Sequence, residues 1–385
     1  MKRRAWMMSL ALISAGLGLT TASYGGMSGA RLATQGEWPP MAVVVNGGSE
    51  GGISLIDPVT DTALGPFLGG RLGPSDGLLD VVVTPDGRTA IVSNFTNRTL
   101  VFIDVEARPP VRLGPRVRLL IEPEDMALSP DGQFVLVTSG LGMEETAMDV
   151  VSVDVAGRRI VDQLKLTGDK QAQAVDVAPD GETVLVTDFE NAQIHVLQLN
   201  PDGTLAETDT SIASDGQPVN VVISPDGKTA IAANFSTSDG SFAASTVTIL
   251  RINGPLDVVK TGTVNNLFGN QQGAAFTPDG VKAWVLSIAP RPDRLSLLNV
   301  DGPGMVTNGK QFVPLLSDVI SGLLGVDVIA VAPDGTKAYV GNPSVDGALA
   351  SQVAVVDLTG RRPHVRGRIS MPMPLAIAFP RAGGR

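Results

Sequence analysis

Val219-Asn220-Val221-Val222-Ile223-Ser224-Pro225-Asp226-Gly227-Lys228-Thr229-Ala230-Ile231-Ala232-Ala233-Asn234 is the stretch whose reading decides the fold. Two runs of β-forming residues flank a four-residue turn. Proline presets its own φ, aspartate bonds back to the local backbone, and glycine accepts the positive φ that completes the reversal. The same turn stands at Thr84-Pro85-Asp86-Gly87, Ser129-Pro130-Asp131-Gly132, Ala178-Pro179-Asp180-Gly181, Thr277-Pro278-Asp279-Gly280 and Ala332-Pro333-Asp334-Gly335. From proline to proline the intervals are 45, 49, 46, 53 and 55 residues. That period is expected for a repeated four-stranded propeller blade. A degenerate seventh copy, Phe379-Pro380-Arg381, follows 47 residues later.

Each repeat has an inner strand before the turn, a second strand after it and a third strand beyond, here Val219 to Ser224, Thr229 to Asn234 and Thr246 to Ile252. A variable fourth strand returns to the next unit. The chain begins its strands out of phase. Met41 to Val45 and Ile53 to Asp57 resemble the middle strands of a blade that lacks an inner strand, and Leu375 to Phe379 is an inner strand with no successor. Joining the two ends completes a seventh blade and removes the unpaired sheet edges that invite aggregation. The expected fold is therefore an all-β, seven-bladed β-propeller of four-stranded antiparallel blades, closed by N-terminal strands pairing with the C-terminal strand. It occupies residues 41–385 as one domain.

The unit resembles the YVTN-type seven-bladed propeller repeat, with an apolar inner strand, a Ser-Pro-Asp-Gly-like turn and a Tyr-Val-x-Asn-like second strand such as Ala338-Tyr339-Val340-Gly341-Asn342. Third strands close on Ile103-Asp104, Val153-Asp154 and Val356-Asp357. The resemblance covers roughly residues 41 to 380. Ser139 and Ser287 depart from the pattern where Asn would stand, and extra loop residues occur at Gly140 to Met148 and Ser236 to Ala244. The resemblance implies architecture far more than activity, because that repeat serves diverse functions.

Residues 1–23 combine Lys2, Arg3 and Arg4, an apolar stretch from Ala5 to Leu19 and small residues at Thr21-Ala22-Ser23. This is the three-part pattern of a secretory signal peptide, with cleavage after Ser23 or as late as Ala30. A retained membrane anchor is the alternative, though the apolar run is short and broken by glycine. Residues 24–40 read as a flexible N-terminal segment. The expected location is periplasmic or secreted. Phe312 to Ala332 is apolar, but Pro314, Asp318 and Asp327 interrupt it, so an outer strand, a loop and an inner strand explain it better than a membrane span.

The formal net charge is −10, with no cysteine. The charge argues against a nucleic-acid partner, and the absence of thiols excludes disulfides, thiolate metal sites and a cysteine nucleophile. The only histidines are His195, in a third strand, and His364, in an outer strand. Both read as surface or edge residues, which leaves a Ser-His-Asp arrangement without a base. No phosphate-binding glycine loop or haem motif occurs, so no cofactor is identified.

Propeller geometry places the start of each inner strand on the face opposite the Pro-Asp-Gly turns. It gathers Asp80, Glu124, Asp125, Gln173, Asn220, Gln272 and Asp327 around one mouth of the central channel. Asn46, Asn94, Asp188, Asn234 and Asn342, at the ends of second strands, form a wider polar ring there. Two readings follow. The oxygens make a ligand pocket, which could suit Ca²⁺ or Mg²⁺, or the residues end strands and satisfy loop backbone groups. The leading functional expectation is an exported, noncatalytic binding or scaffold propeller that engages a protein or small ligand of the cell envelope. The alternative is a lactonase-like hydrolase, suggested by the resemblance of Leu197-Gln198-Leu199-Asn200-Pro201-Asp202-Gly203-Thr204-Leu205 and Gly216-Gln217-Pro218 to the seven-bladed lactonases. In that case Asp80 or Asp125 would activate water. A third class is an electron-transfer accessory subunit that relies on a partner's redox centre.

Overall fold

The computed structural model describes residues 40–47, 51–69, 72, 77–140, 149–167, 171–236, 245–288, 292–315, 328–342 and 351–381. The leader, the two long loops beyond Gly140 and Ser236, and Asp327 lie outside the described residues.

Seven antiparallel sheets form the ring. Blade 1 contains Leu78–Val83, Thr89–Asn94, Thr99–Asp104 and Val111–Arg112, with the short strand Val117–Arg118 also on its third strand. Blade 2 contains Met126–Leu128, Phe134–Thr138, Val150–Asp154 and Arg159–Leu164. Blade 3 contains Ala172–Val177, Thr183–Asp188, Gln193–Leu199 and Leu205–Ala213. Blade 4 contains Gln217–Ile223, Thr229–Ser236, Val247–Gly254 and Asp257–Val264. Blade 5 contains Asn270–Phe276, Lys282–Ile288, Arg294–Gly302 and Met305–Pro314. Blade 6 contains Ile329–Val331, Lys337–Asn342, Gln352–Asp357 and His364–Ser370. In blade 7 the inner strand Pro374–Ala378 pairs with Ala42–Asn46, followed by Gly52–Asp57 and Thr62–Phe67. Val44 lies opposite Ile377 in that closing pair. The closure expected from the out-of-phase ends is thus the observed one.

Burial explains the residue pattern of each strand. Second strands are covered by neighbouring blades on both faces, so Thr183–Asp188 is buried throughout and reads as a near-continuous run of β-formers. Fourth strands face solvent on one side, and Leu205–Ala213 and His364–Ser370 alternate accordingly. The apolar core lies between the blades. Trp284, Tyr339 and Phe102 are its largest fully buried side chains.

The turns stack around the opposite face. In each, the glycine N–H donates to the carbonyl three residues back, as from Gly132 to Ser129 O at 2.8 Å. The Asp131 carboxylate accepts the Ser129 hydroxyl at 2.6 Å and the Gln133 N–H at 3.0 Å. Where alanine replaces serine, the hydroxyl comes from elsewhere: Asp180 accepts from Thr183 Oγ1 at 2.7 Å. Gly132 has φ +70°, and a Cβ there would lie 2.7 Å from Pro85 Cδ of the preceding blade. The glycine is needed for its conformation and for this close approach. The expectation that the turn aspartates are structural fits this bonding.

Candidate functional site

The inner strands touch one another in cyclic order around a central channel. Their residues at the mouth opposite the turns are those gathered by sequence: Asp80, Glu124, Asp125, Gln173, Asn220 and Gln272. All are buried. Much of their bonding runs between blades. Asp125 Oδ2 of blade 2 accepts the Val175 N–H of blade 3 at 2.8 Å. Asn220 Oδ1 of blade 4 accepts the Ala274 N–H of blade 5 at 3.1 Å. Asp80 Oδ1 accepts the N–H of Val81 at 2.7 Å, and the Asp80 N–H donates to Ser93 Oγ at 3.0 Å. These side chains cap inner-strand backbone groups that no adjacent strand within the blade can reach.

Glu124 and Gln173 form a different arrangement. Gln173 Nε2 donates to Glu124 Oε1 at 2.6 Å across the junction of blades 2 and 3. Gln173 is fully buried, and its Oε1 has no partner among the described residues. Gly140 packs over this pair with φ +51°, and a Cβ there would fall 1.6 Å from Glu124 Oε2. Gln171 Nε2 donates to Gly140 O at 2.9 Å and anchors that glycine. The mouth therefore offers a carboxylate and a buried amide oxygen side by side, both acceptors.

The wider ring is buried rather than open. Asn46 and Ser54 bond reciprocally, at 3.0 and 3.1 Å. Asn94 Oδ1 accepts the Asn97 N–H at 2.9 Å, and Asp188 Oδ1 accepts the Asn191 N–H at 3.2 Å, each capping the turn after its strand. Asn234 lies inside its strand and bonds Ser214, Thr246 and Thr248. Asn342 ends its strand with Oδ1 buried and lacking a partner among the described residues. For Asn46, Asn94, Asp188 and Asn234, satisfaction of loop and strand-end groups accounts for the observed bonds.

His195 corrects the sequence reading. It is 2% exposed, and its Nε2 lies 3.2 Å from Asp188 Oδ2. A third strand is covered by the fourth strand and by adjacent blades, so a histidine there is buried and needs a polar partner. His364, on the outer strand, is exposed as expected.

At the turn end of the channel, Arg381 stands where the other six turns carry aspartate. Its Nη1 and Nη2 lie 2.6 and 3.3 Å from the carboxylate oxygens of Asp176 in blade 3. Asp176 Oδ2 also accepts the Ile223 N–H of blade 4 at 2.7 Å. Blade 7 and blade 3 lie on opposite sides of the ring, so the arginine crosses this end of the channel. The substitution of arginine for aspartate was visible in the sequence; its partner, placed in an ordinary inner strand, was not.

Two clefts open on the turn face. One, about 290 Å³, lies between blades 5 and 6 beside Asp279 and Asp334. The other, about 630 Å³, lies between blades 1 and 2 and is lined by Asp86, Asp131, Asp154 and Asp202. Its carboxylates are engaged locally: Asp154 pairs with Arg159 at 3.2 Å, and hydrogen bonds from Thr204 hold Asp202 below the usual carboxylate range. Among the described residues, no group of three or more His, Asp or Glu could hold a metal ion. No helix among them is long and apolar enough to cross a membrane.

No protein-family model matches the chain, and no curated protein matches it. Solved structures do. A functionally unknown protein from Desulfotomaculum acetoxidans is 20% identical, with a TM-score of 0.74 over 88% of this chain and 98% of that one. The periplasmic gluconolactonase of Pseudomonas aeruginosa is 16% identical, with a TM-score of 0.67 over 88% of this chain and 98% of that one. The hydrazine synthase of Kuenenia stuttgartiensis is 21% identical, with a TM-score of 0.59 over 80% of this chain and 90% of that one. At these identities the likeness is one of fold.

Proposed function

We propose that this chain is an exported, noncatalytic propeller of the YVTN type that binds a small ligand rich in O–H or N–H donors at the channel mouth. The observation that carries the reading is the Glu124–Gln173 pair. A buried amide oxygen with no donor among the described residues calls for one from a bound molecule, and the adjacent carboxylate accepts a second. Asp125 and Asp80 each commit one oxygen to the scaffold, Asp125 Oδ2 to the Val175 N–H of the neighbouring inner strand and Asp80 Oδ1 to the Val81 N–H. The leader pattern in residues 1–23 supports export to the cell envelope.

Gluconate and its lactone are the first probes, because a gluconolactonase shares the fold. Calorimetric titration of the purified chain is expected to show binding that Gln173→Leu and Glu124→Gln each weaken about tenfold, the loss of one hydrogen bond. Absence of binding by these and other polyols, or affinity indifferent to both substitutions, would overturn the reading. If the mouth takes a cation, millimolar Ca²⁺ or Mg²⁺ raises the melting temperature and Glu124→Gln removes that rise.

Lactone hydrolysis is the second reading, favoured by the place of Glu124, a buried carboxylate at the channel mouth that accepts the Gln173 amide N–H at 2.6 Å. Turnover of a lactone panel that is lost in Glu124→Gln would establish it in place of simple binding. Loss in Asp125→Asn alone would return the base to the position expected from sequence.

A further inference from the structure

On the rim of the same face, on the third strand of blade 5, the Arg294 guanidinium lies over the rings of two phenylalanines. Its carbon lies 3.6 Å from the Phe268 ring centroid and 4.6 Å from that of Phe312. Register places the group on the side of the blade that faces blade 4: Arg294 lies opposite Ser287, and Ser296 lies opposite both Val285 and Phe312. Val285 packs in the apolar cluster shared by these two blades.

Three features distinguish this arginine. No carboxylate or other hydrogen-bond acceptor among the described residues pairs with it, although the chain carries a net charge of −10. Its Nε is buried without a partner among the described residues, and the ring contacts are what hold the guanidinium there. The stack is also prepared in advance. Gln271, fully buried, donates from Nε2 to the carbonyls of Phe268 and Gly269 at 3.0 and 2.8 Å, and its Oε1 accepts the Ser287 hydroxyl at 2.7 Å. This network fixes the segment that carries Phe268.

A guanidinium whose flat faces are taken up by ring contacts offers its edge to a ligand. There its paired N–H groups match the two oxygens of a planar anion. Phe312, 52% exposed, supplies an apolar surface beside that edge. We propose that Phe268, Arg294 and Phe312 form a subsite for an organic carboxylate with an apolar body, separate from the channel mouth. The stacked cation provides charge and a fixed fork, and the exposed ring covers the body of the acid. A spherical, strongly hydrated oxyanion gains the charge but not the apolar contact.

The test is calorimetric titration of the full purified chain with benzoate, with inorganic phosphate in parallel. Benzoate is expected to bind at least tenfold more tightly than phosphate. Arg294→Gln should abolish the benzoate heat, and Phe312→Ala should weaken it several-fold. Arg294→Lys retains a cation over the rings and guards against misfolding of the glutamine variant; it should weaken binding about tenfold by loss of the planar fork. No benzoate binding at millimolar concentration, a preference for phosphate, or affinity unchanged in Arg294→Lys would overturn the proposal. Glu124→Gln and Gln173→Leu should leave benzoate binding unchanged, so failure at the channel mouth and failure at the rim are read separately.

Discussion

Arg381 Nη1 lies 2.6 Å from Asp176 Oδ1, joining the last described residue of the chain to the inner strand of the blade across the ring. The arginine side chain is 58% exposed and the aspartate 2%. The pair is therefore half-solvated, and its value is below that of a fully buried bridge. Asp176 has a second duty, accepting the Ile223 N–H.

From this asymmetry, Asp176→Ala should cost more than Arg381→Ala. The arginine variant should lose about 1 kcal/mol. The aspartate variant leaves the buried Ile223 N–H without its acceptor and should lose roughly 2–3 kcal/mol. Denaturant unfolding of both variants and of the double variant measures the difference. Asp176 Oδ1 also accepts the Val177 N–H at 2.9 Å, so equal costs would mean that neither backbone bond to Asp176 contributes.

Asp125 separates scaffold from chemistry. Asparagine retains an acceptor for the Val175 N–H, so Asp125→Asn should change stability by less than about 1 kcal/mol, whereas Asp125→Ala should lose roughly 1–3 kcal/mol. Chemical denaturation gives the comparison. An asparagine variant as unstable as the alanine variant would show that the charge, rather than the hydrogen bond, holds the strands.

Gly132→Ala tests the stacked turns. Left-handed backbone conformation costs a non-glycine residue about 1–2 kcal/mol, and the new methyl would also press on Pro85 Cδ. Gly181 has φ +76° but nothing lies within 4 Å of where a Cβ would stand. Gly181→Ala should therefore be the milder change, and thermal melting of the two variants isolates the contribution of the inter-blade contact.

Tyr339 should give an alkaline transition. Burial first, and then its 2.6 Å hydrogen bond to Asp61, push its hydroxyl pKa above the ordinary tyrosine range. The folded state thus holds this proton more tightly than the unfolded state. The resulting stability is complete below the unfolded value of about 10 and is lost as pH rises beyond it. Ultraviolet difference titration of a Tyr24→Phe chain reports Tyr339 alone, since these are the two tyrosines. Ionisation should coincide with unfolding. Reversible ionisation near pH 10 in the folded protein would contradict the buried placement.

The repeat of Pro-Asp-Gly turns was sufficient to determine seven blades, their antiparallel order, the closing pair of Ala42–Asn46 with Pro374–Ala378, and which ends of the strands share a face. Those features follow from local turn chemistry and a period, both written along the chain. The tertiary structure alone decided how the polar residues are used. Asp125 and Val175 are 50 residues apart, and Asp176 and Arg381 are 205 apart. His195 looked like an edge residue because a sequence does not show which neighbour covers a third strand. Phe268, Arg294 and Phe312 have no common motif, and they meet only because the pleat of blade 5 points the arginine and one ring to the same side. Periodicity determines where a strand lies, whereas a polar group's role depends on the partner that folding brings to it, which for Asp125, Gln173, Asn220 and Asp176 belongs to another blade.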